Sequence, residues 1–313
     1  MTDPGRNLVL VTGASGFVGG ALVRALASAG WGVRAAARDV SQVPRAPGIE
    51  AVLLPDLGAR VDWGPFLAGA SHVVHLAGIA HARTQLSEAV YRCVNAEASA
   101  ELAHAAGIAG VRRLVLMSSI RAQSGPAATH PLTEATPPAP TDAYGRSKLA
   151  AEAAVMAELG QAVSILRPVL VMGPGVKGNL AALRRLASSP MPLPFGGLHN
   201  RRSLIGLRNL ASAVAFGLSA DIAGGRLFLV ADPEPLRLRD LIAAMRAALG
   251  RRPGLVAIPP GLLKIALAAS GRQALAQSLL GDLIADCSAL KKAGWQPPCS
   301  SEAEISRMMT QDA

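Results

Sequence analysis

Tyr144 and Lys148 stand four residues apart in the run Tyr144-Gly145-Arg146-Ser147-Lys148, a spacing that puts both on one face of a helix. Free tyrosine, with a pKa of about 10, is a poor base at neutral pH. A lysine ammonium beside it favours the phenolate and brings it toward working range. Met117-Ser118-Ser119 closes an apolar run upstream, and a serine hydroxyl at the end of a parallel strand can donate to a substrate oxygen on which charge develops. A Tyr-x-x-x-Lys spacing by itself recurs by accident on solvated surfaces. Here the tyrosine and lysine follow a glycine turn and a strand-terminal serine pair.

The glycine turn is Thr12-Gly13-Ala14-Ser15-Gly16-Phe17-Val18-Gly19, between the first apolar run and the first helical pattern. Glycines let the backbone turn sharply and approach a pyrophosphate, toward which a helix N-terminus presents free N–H groups. The spacing is G-x-x-G-x-x-G, not G-x-G-x-x-G. As a bare triplet it would equally suit a structural tight turn; its place at the first strand–helix junction makes Gly13, Ser15, Gly16, Phe17, Val18 and Gly19 candidate dinucleotide contacts. An acid about 20 positions on would bind the 2′-hydroxyl of NAD. Ala37 occupies that place and Arg38 follows, and a guanidinium pairs bidentately with a 2′-phosphate. NADP(H) is therefore favoured. NAD(H) is the alternative, with Arg38 merely solvated and Asp39 on the ribose. Asp56-Leu57 is expected beside the adenine, and Leu76-Ala77-Gly78 lets the backbone pass close to the cofactor.

These groups need a scaffold that brings several strand ends to one edge. Apolar runs at 8–12, 33–37, 51–54, 72–76, 114–118 and 163–166 read as strands, and 17–29, 88–106 and 143–159 carry apolar residues at helical spacing. Their alternation implies right-handed crossovers and an α/β fold, a Rossmann-type doubly wound parallel sheet with helices on both faces. Residues 1–170 are expected to form this dinucleotide-binding domain. Beyond about Arg167 the alternation weakens, so 171–313 is expected to be mainly a smaller C-terminal substrate lobe, discontinuous, with parts returning to the sheet. Five prolines within 126–140 mark a loop.

Half of the 313 residues are hydrophobic and 17% are charged, which excludes a disordered tail protein. The net charge of +10 asks for an anionic partner or reflects an Arg-rich composition bias. With 3% aromatics the chain lacks a stacking platform for single-stranded nucleic acid, and no nucleic-acid motif is present. Cys93, Cys287 and Cys299 are odd in number without C-x-x-C spacing, and the histidines show no paired-ligand spacing. Neither a disulfide framework nor a metal site is expected, in a reducing cytoplasm. His81 is a weak candidate near the cofactor or sugar. Residues 1–13 do not read as a secretion signal, and no run approaches the roughly 18 apolar residues of a spanning helix. The most apolar late segment, 262–285, is broken by Lys264, Arg272 and Asp282. It reads as amphipathic helices on a core, with peripheral membrane contact as the lesser reading.

Through the turn at 12–19, His75-Leu76-Ala77-Gly78, Val94-Asn95, Ser118-Ser119, Tyr144 with Lys148, Arg167-Pro168 and Gly294-Trp295-Gln296-Pro297, the chain resembles the extended short-chain dehydrogenase/reductase family over nearly its whole length. Within that family it is most similar to bacterial nucleotide-sugar 4-epimerases and 4-keto reductases of O-antigen synthesis. Ser118-Ser119-Ile120-Arg121, the run from Gly173 to Asn179 and Arg201-Arg202-Ser203-Leu204-Ile205 carry that closer likeness. The resemblance implies Ser119, Tyr144 and Lys148 as catalytic residues, with Lys148 also on the nicotinamide ribose and Asn95 supporting the site among the cofactor contacts. It implies a nucleoside-diphosphate sugar, UDP-linked, as the substrate, held by Asn179 and Arg202 as well as Ser119 and Tyr144. Related 4,6-dehydratases carry Asp-Glu directly after the catalytic hydroxyl residue. Ile120 and Arg121 stand there instead and cannot exchange a proton at neutral pH, so dehydration is not expected. The missing acid after the second strand, through which 4-epimerases of this family keep NAD, favours NADP(H)-dependent reduction of a 4-keto nucleotide sugar. A UDP-sugar 4-epimerase is the alternative. Non-catalytic NADP(H) binding is the second alternative, although its usual mark, loss of the tyrosine or lysine, is missing. The resemblance also implies a homodimer through the helices at 88–106 and 143–159.

Overall fold

Leu8–Thr12 (β1) is buried along nearly its whole length, because a parallel strand covered on both faces has no solvent side. In the computed structural model, which describes residues 7–80, 86–219, 225–271 and 273–311, it lies inside a seven-stranded sheet. Its companions are β2 (Gly32–Ala37), β3 (Ile49–Leu53), β4 (His72–His75), β5 (Arg113–Met117) and β6 (Val163–Pro168). Three short strands follow, β7 (Leu170–Met172), β8 (Arg201–Arg202) and β9 (Leu204–Gly206), then β10 (Arg226–Val230) and β11 (Leu236–Arg237). The large sheet runs β10-β6-β5-β4-β1-β2-β3 with every pairing parallel. Strand order reverses between β1 and β4, and in such sheets ligands bind outside the carboxyl ends at that switch point. The architecture is therefore the Rossmann-type doubly wound sheet.

One face is covered by helix Phe17–Ser28 and helix Leu207–Gly217, whose Leu22, Leu26, Leu210 and Val214 share a core with Val9 and Val115. The other is covered by helix Ala98–Ile108 and helix Ala143–Leu159, where Leu102, Ala106, Ala151 and Val155 pack with Leu10 and Leu114. The helical stretch expected at 88–106 is interrupted: Glu88–Tyr91 leads into a π-helical turn, Arg92–Glu97, before Ala98–Ile108. Period counting cannot see one extra residue in a turn.

Residues 171–313 divide between the two parts. Helix Leu207–Gly217 and β10 join the sheet, whereas helices Gly178–Ser188, Leu238–Ala247 and Ser301–Thr310 enclose a separate core of Leu180, Leu183, Leu241, Ile242, Met245, Ile305 and Met308. In this lobe β7 pairs with β9 and β8 with β11.

Candidate active site

The turn after β1 reaches the end of β4. Gly13 has φ +73°, and a Cβ there would stand 2.8 Å from the Ala77 nitrogen, so the two strand ends touch at the switch point. Gly16 N–H bonds back to the Gly13 carbonyl at 3.0 Å. Helix Phe17–Ser28 then begins at Gly16 with no capping side chain and no acid in its first turn. The N–H groups of Phe17, Val18 and Gly19 are thus left without a capping side chain, the arrangement an anionic pyrophosphate completes. These residues fit a dinucleotide. Ser15 is exposed at the turn, Ala77 is buried beneath it, and Leu57 is buried near the end of β3 while the Asp56 carboxylate accepts the Gly58 N–H at 2.9 Å. Arg38 is exposed just beyond β2. Asp39, its rival for the ribose, accepts both Ser41 N–H (3.0 Å) and Ser41 Oγ–H (2.6 Å) on one carboxylate oxygen.

A buried chain of hydrogen bonds ties this turn to the next helices. Ala77 N–H donates to Thr12 Oγ1 (3.2 Å), and Thr12 Oγ1 meets His75 Nδ1 at 2.7 Å. His75 Nε2 meets Ser99 Oγ at 3.0 Å, and Ser99 donates to the Asn95 carbonyl at 2.6 Å. Thr12 and Ser99 each have one hydroxyl proton. Ser99 places its proton on Asn95, so His75 donates from Nε2 and accepts at Nδ1 from Thr12. Burial, aided by the Lys148 charge, pushes His75 down to about 3, so the ring stays neutral in this role. Asn95 lies in the π-helical turn, fully buried. Its Oδ1 accepts Ile79 N–H (2.7 Å), and its Nδ2 donates to Ile79 O (3.0 Å) and Ser147 Oγ (2.9 Å). With both amide hydrogens committed to the protein, Asn95 braces the segment after β4 against helix Ala143–Leu159.

That helix starts where Asp142 accepts the Gly145 N–H at 2.7 Å. A Cβ at Gly145 would overlap the Arg121 carbonyl oxygen, so the helix lies directly against the turn that follows β5. Tyr144 thereby reaches Ser119, with which it shares a hydrogen bond. Ser119 Oγ also accepts the Arg121 N–H at 3.1 Å. One helical turn on, the fully buried Lys148 donates to the Met117 carbonyl at 2.9 Å. Serine, tyrosine and lysine thus converge at the carboxyl end of β5. Burial raises the Tyr144 phenol, the Ser119 hydroxyl opposes that rise, and the charges of the ion-paired Asp142 and Arg121 act in opposite directions, Asp142 raising the phenol and Arg121 lowering it. Burial pushes Lys148 down to about 8.

The neighbouring serine has another task. Ser118 Oγ–H donates to Glu152, which forms a bidentate pair with Arg167 at 2.8 and 2.5 Å; Arg167 also donates to Gln123 Oε1 at 3.0 Å. Both charged side chains are at most 6% exposed. Spacing analysis did not single out Glu152, although Tyr144, Lys148 and Glu152 form an i, i+4, i+8 stripe that could have revealed it. Tyr91, the second of the chain's two tyrosines, packs 6.3 Å from Tyr144 between ring centroids.

The candidate substrate residues lie on the lobe side. Arg202, in β8, is largely buried and donates to Gly281 O (3.0 Å) and Pro126 O (3.1 Å). The Arg121 charge reaches it and, together with burial, lowers its pKa, so two guanidinium groups face one region. Beside them opens a cleft of about 580 Å³ lined by Gln123, Ser124, Pro137, Gly281 and Asp282. Asn179 is exposed at the start of helix Gly178–Ser188. His81 lies outside the described residues.

The model of the NAD dependent epimerase/dehydratase family matches residues 9–231. The UDP-glucose 4-epimerase of Vibrio cholerae is 32% identical over 300 residues, covering 93% of this chain and 90% of its own. The 2'-dehydrokanamycin reductase of Streptomyces kanamyceticus is 32% identical over 265 residues, covering 80% of this chain and 69% of its own. Among solved structures, MoeE5 in complex with UDP-glucuronic acid and NAD superposes with a TM-score of 0.75 at 25% identity, covering 96% of this chain and 97% of that one.

Proposed function

The chain belongs to the NAD dependent epimerase/dehydratase family, and from that premise we propose that it catalyses dinucleotide-dependent hydride transfer at C4 of a UDP-linked sugar, with epimerisation at C4 as the reaction. The observation that carries this reading is the convergence of Ser119, Tyr144 and Lys148 beside the uncapped glycine turn. The similarity to a UDP-glucose 4-epimerase over some nine-tenths of both chains supports it. The dinucleotide, when bound, supplies the hydride acceptor and donor. Tyr144 takes the C4 hydroxyl proton as the C4–H bond breaks and returns it once that bond re-forms on the other face. Ser119 donates a hydrogen bond to the same oxygen. Lys148, anchored on Met117, would hold the nicotinamide ribose.

A second reading, NADPH-dependent reduction of a 4-keto sugar nucleotide, is favoured by the exposed Arg38 just beyond β2. A phenol held neutral by burial is also suited to giving a proton to a ketone. The two readings share every catalytic residue and separate in one assay. The purified chain is incubated with UDP-glucose, UDP-galactose or their 2-acetamido counterparts without added coenzyme. Interconversion of the C4 epimers, with dinucleotide released on denaturation, is the expected result. NADPH consumption confined to a UDP-4-keto-6-deoxy sugar would replace epimerisation by reduction. Turnover in neither arm would overturn the C4 assignment.

A further inference from the structure

Helix Pro260–Ala269 has no buried residue. Its sequence, PGLLKIALAA, is apolar around nearly the whole circumference, a pattern normally found inside a protein. Leu263 faces the lobe core. The opposite stripe, Leu262, Ile265, Ala266 and Ala269, follows i, i+3, i+4, i+7 spacing and is exposed throughout. Leu262 is 58% and Ile265 67% exposed, and Val256, four residues before the helix, is 49% exposed. The helix packs against helix Gln273–Leu280, and the chain leading to it is held in place. Buried Arg246 donates to the carbonyls of Ser189, Met191, Pro253 and Gly254. Val256 N–H bonds to Leu193 O at 2.9 Å.

Charge indicates what covers this face. Residues 241–281 contain five basic residues, Arg246, Arg251, Arg252, Lys264 and Arg272, and no Asp or Glu. Arg251 and Arg252 are exposed on the approach to the helix, and Lys264 is exposed on its flank. A second copy of the chain brought against the stripe would set cation beside cation with no acid in the segment to pair them. Nucleic acid would satisfy the cations but leave the leucine and isoleucine side chains in water. An anionic lipid surface satisfies both, because the apolar stripe enters the headgroup boundary while the flanking cations meet lipid phosphates. Among the described residues no helix is long and apolar enough to cross a membrane, so the contact is with the surface. We infer that helix Pro260–Ala269, with Val256 and the cations Arg251, Arg252 and Lys264, is a docking face for an anionic membrane surface.

Flotation of the full chain with lipid vesicles tests this. Wild type should float with vesicles of phosphatidylcholine containing phosphatidylglycerol and stay in the dense fraction with phosphatidylcholine alone. High salt should release it, since the anionic component is screened. A Leu262→Glu/Ile265→Glu variant should bind at least about tenfold more weakly, the size expected when two exposed apolar side chains lose a lipid environment, with an unchanged urea unfolding midpoint. Should that variant fold poorly, Arg251→Gln/Arg252→Gln provides a second route and should lose the preference for phosphatidylglycerol. The proposal is overturned if wild type ignores phosphatidylglycerol vesicles or if both variants bind like wild type. It is equally overturned if wild type elutes as a dimer that the Leu262→Glu/Ile265→Glu variant converts to monomer, since the face then pairs two copies.

Discussion

At the carboxyl ends of the sheet, buried polar side chains are joined in series. Thr12, His75, Ser99 and Asn95 form one chain, and Ser118, Glu152, Arg167 and Gln123 form another. The outer lobe has a polar network where its helix Ser301–Thr310 meets the sheet, through Glu304 with Arg208 and Ser301 with Asp232, but its centre is built differently. Its core of Leu180, Leu183, Leu241, Ile242 and Met308 is apolar, and buried Arg246 serves as a local clamp on backbone carbonyls. Hydrogen bonds have direction, so a network fixes the orientation of the side chains it joins. Apolar packing has no direction and fixes only shape. The region that needs aim is wired, and the region that needs a surface is filled.

Four experiments would break or sharpen this contrast. The largest effect should come from Tyr144→Phe, which removes the proposed proton carrier at the wired end. It is expected to lower kcat by roughly 10²–10⁴-fold while coenzyme titration and thermal unfolding stay near wild type. Retained turnover would place the chemistry elsewhere. Next is Glu152→Gln, which leaves the Arg167 charge buried without its partner and should cost about 3–5 kcal/mol in urea unfolding. A cost below that of Leu180→Ala in the lobe, about 2–5 kcal/mol, would show that the network aims the site without holding the fold.

Acid should find the wired region third. His75 is held neutral down to about 3, whereas an unfolded histidine takes a proton near 6.5. The unfolded state therefore binds more protons below pH 6.5, and stability falls as pH falls between about 6.5 and 3. The loss between pH 6.5 and 4.5 should be roughly 2–3 kcal/mol from this residue. A His75→Gln variant should flatten that slope in urea titrations at the two pH values; an unchanged slope would remove His75 as its source. The smallest effect belongs to the lobe surface, where Leu262→Ser should move stability by no more than about 0.5 kcal/mol. A larger loss would mean that the stripe is part of the core.

Much of the site was legible because its signals are local. Gly13 and Gly16 mark a turn, and Tyr144 with Lys148 mark a helix face. Apolar runs mark β1, β4, β5 and β6 to within one or two residues. The likeness of Ser118-Ser119 to a family pattern pointed to the second serine, and the structure shows Ser118 turned toward Glu152 and Ser119 toward Tyr144. The π-helical turn that carries Asn95 was not legible, since a helix with one extra residue in a turn keeps its apolar composition.

From its own order of residues, then, the chain determined a doubly wound sheet, a dinucleotide-type turn, and a tyrosine and lysine on one helical face. Those features depend on periodicity and on backbone freedom at single positions. Tertiary structure alone decided which acid neutralises Arg167 and that Leu262 and Ile265 face outward. Hydrogen-bond partners such as Thr12 and His75, 63 residues apart, or Ser118 and Glu152, 34 apart, meet only because parallel crossovers return every strand to the same edge. Whether an apolar stripe is core or surface depends on what packs against it, which helical spacing by itself does not specify.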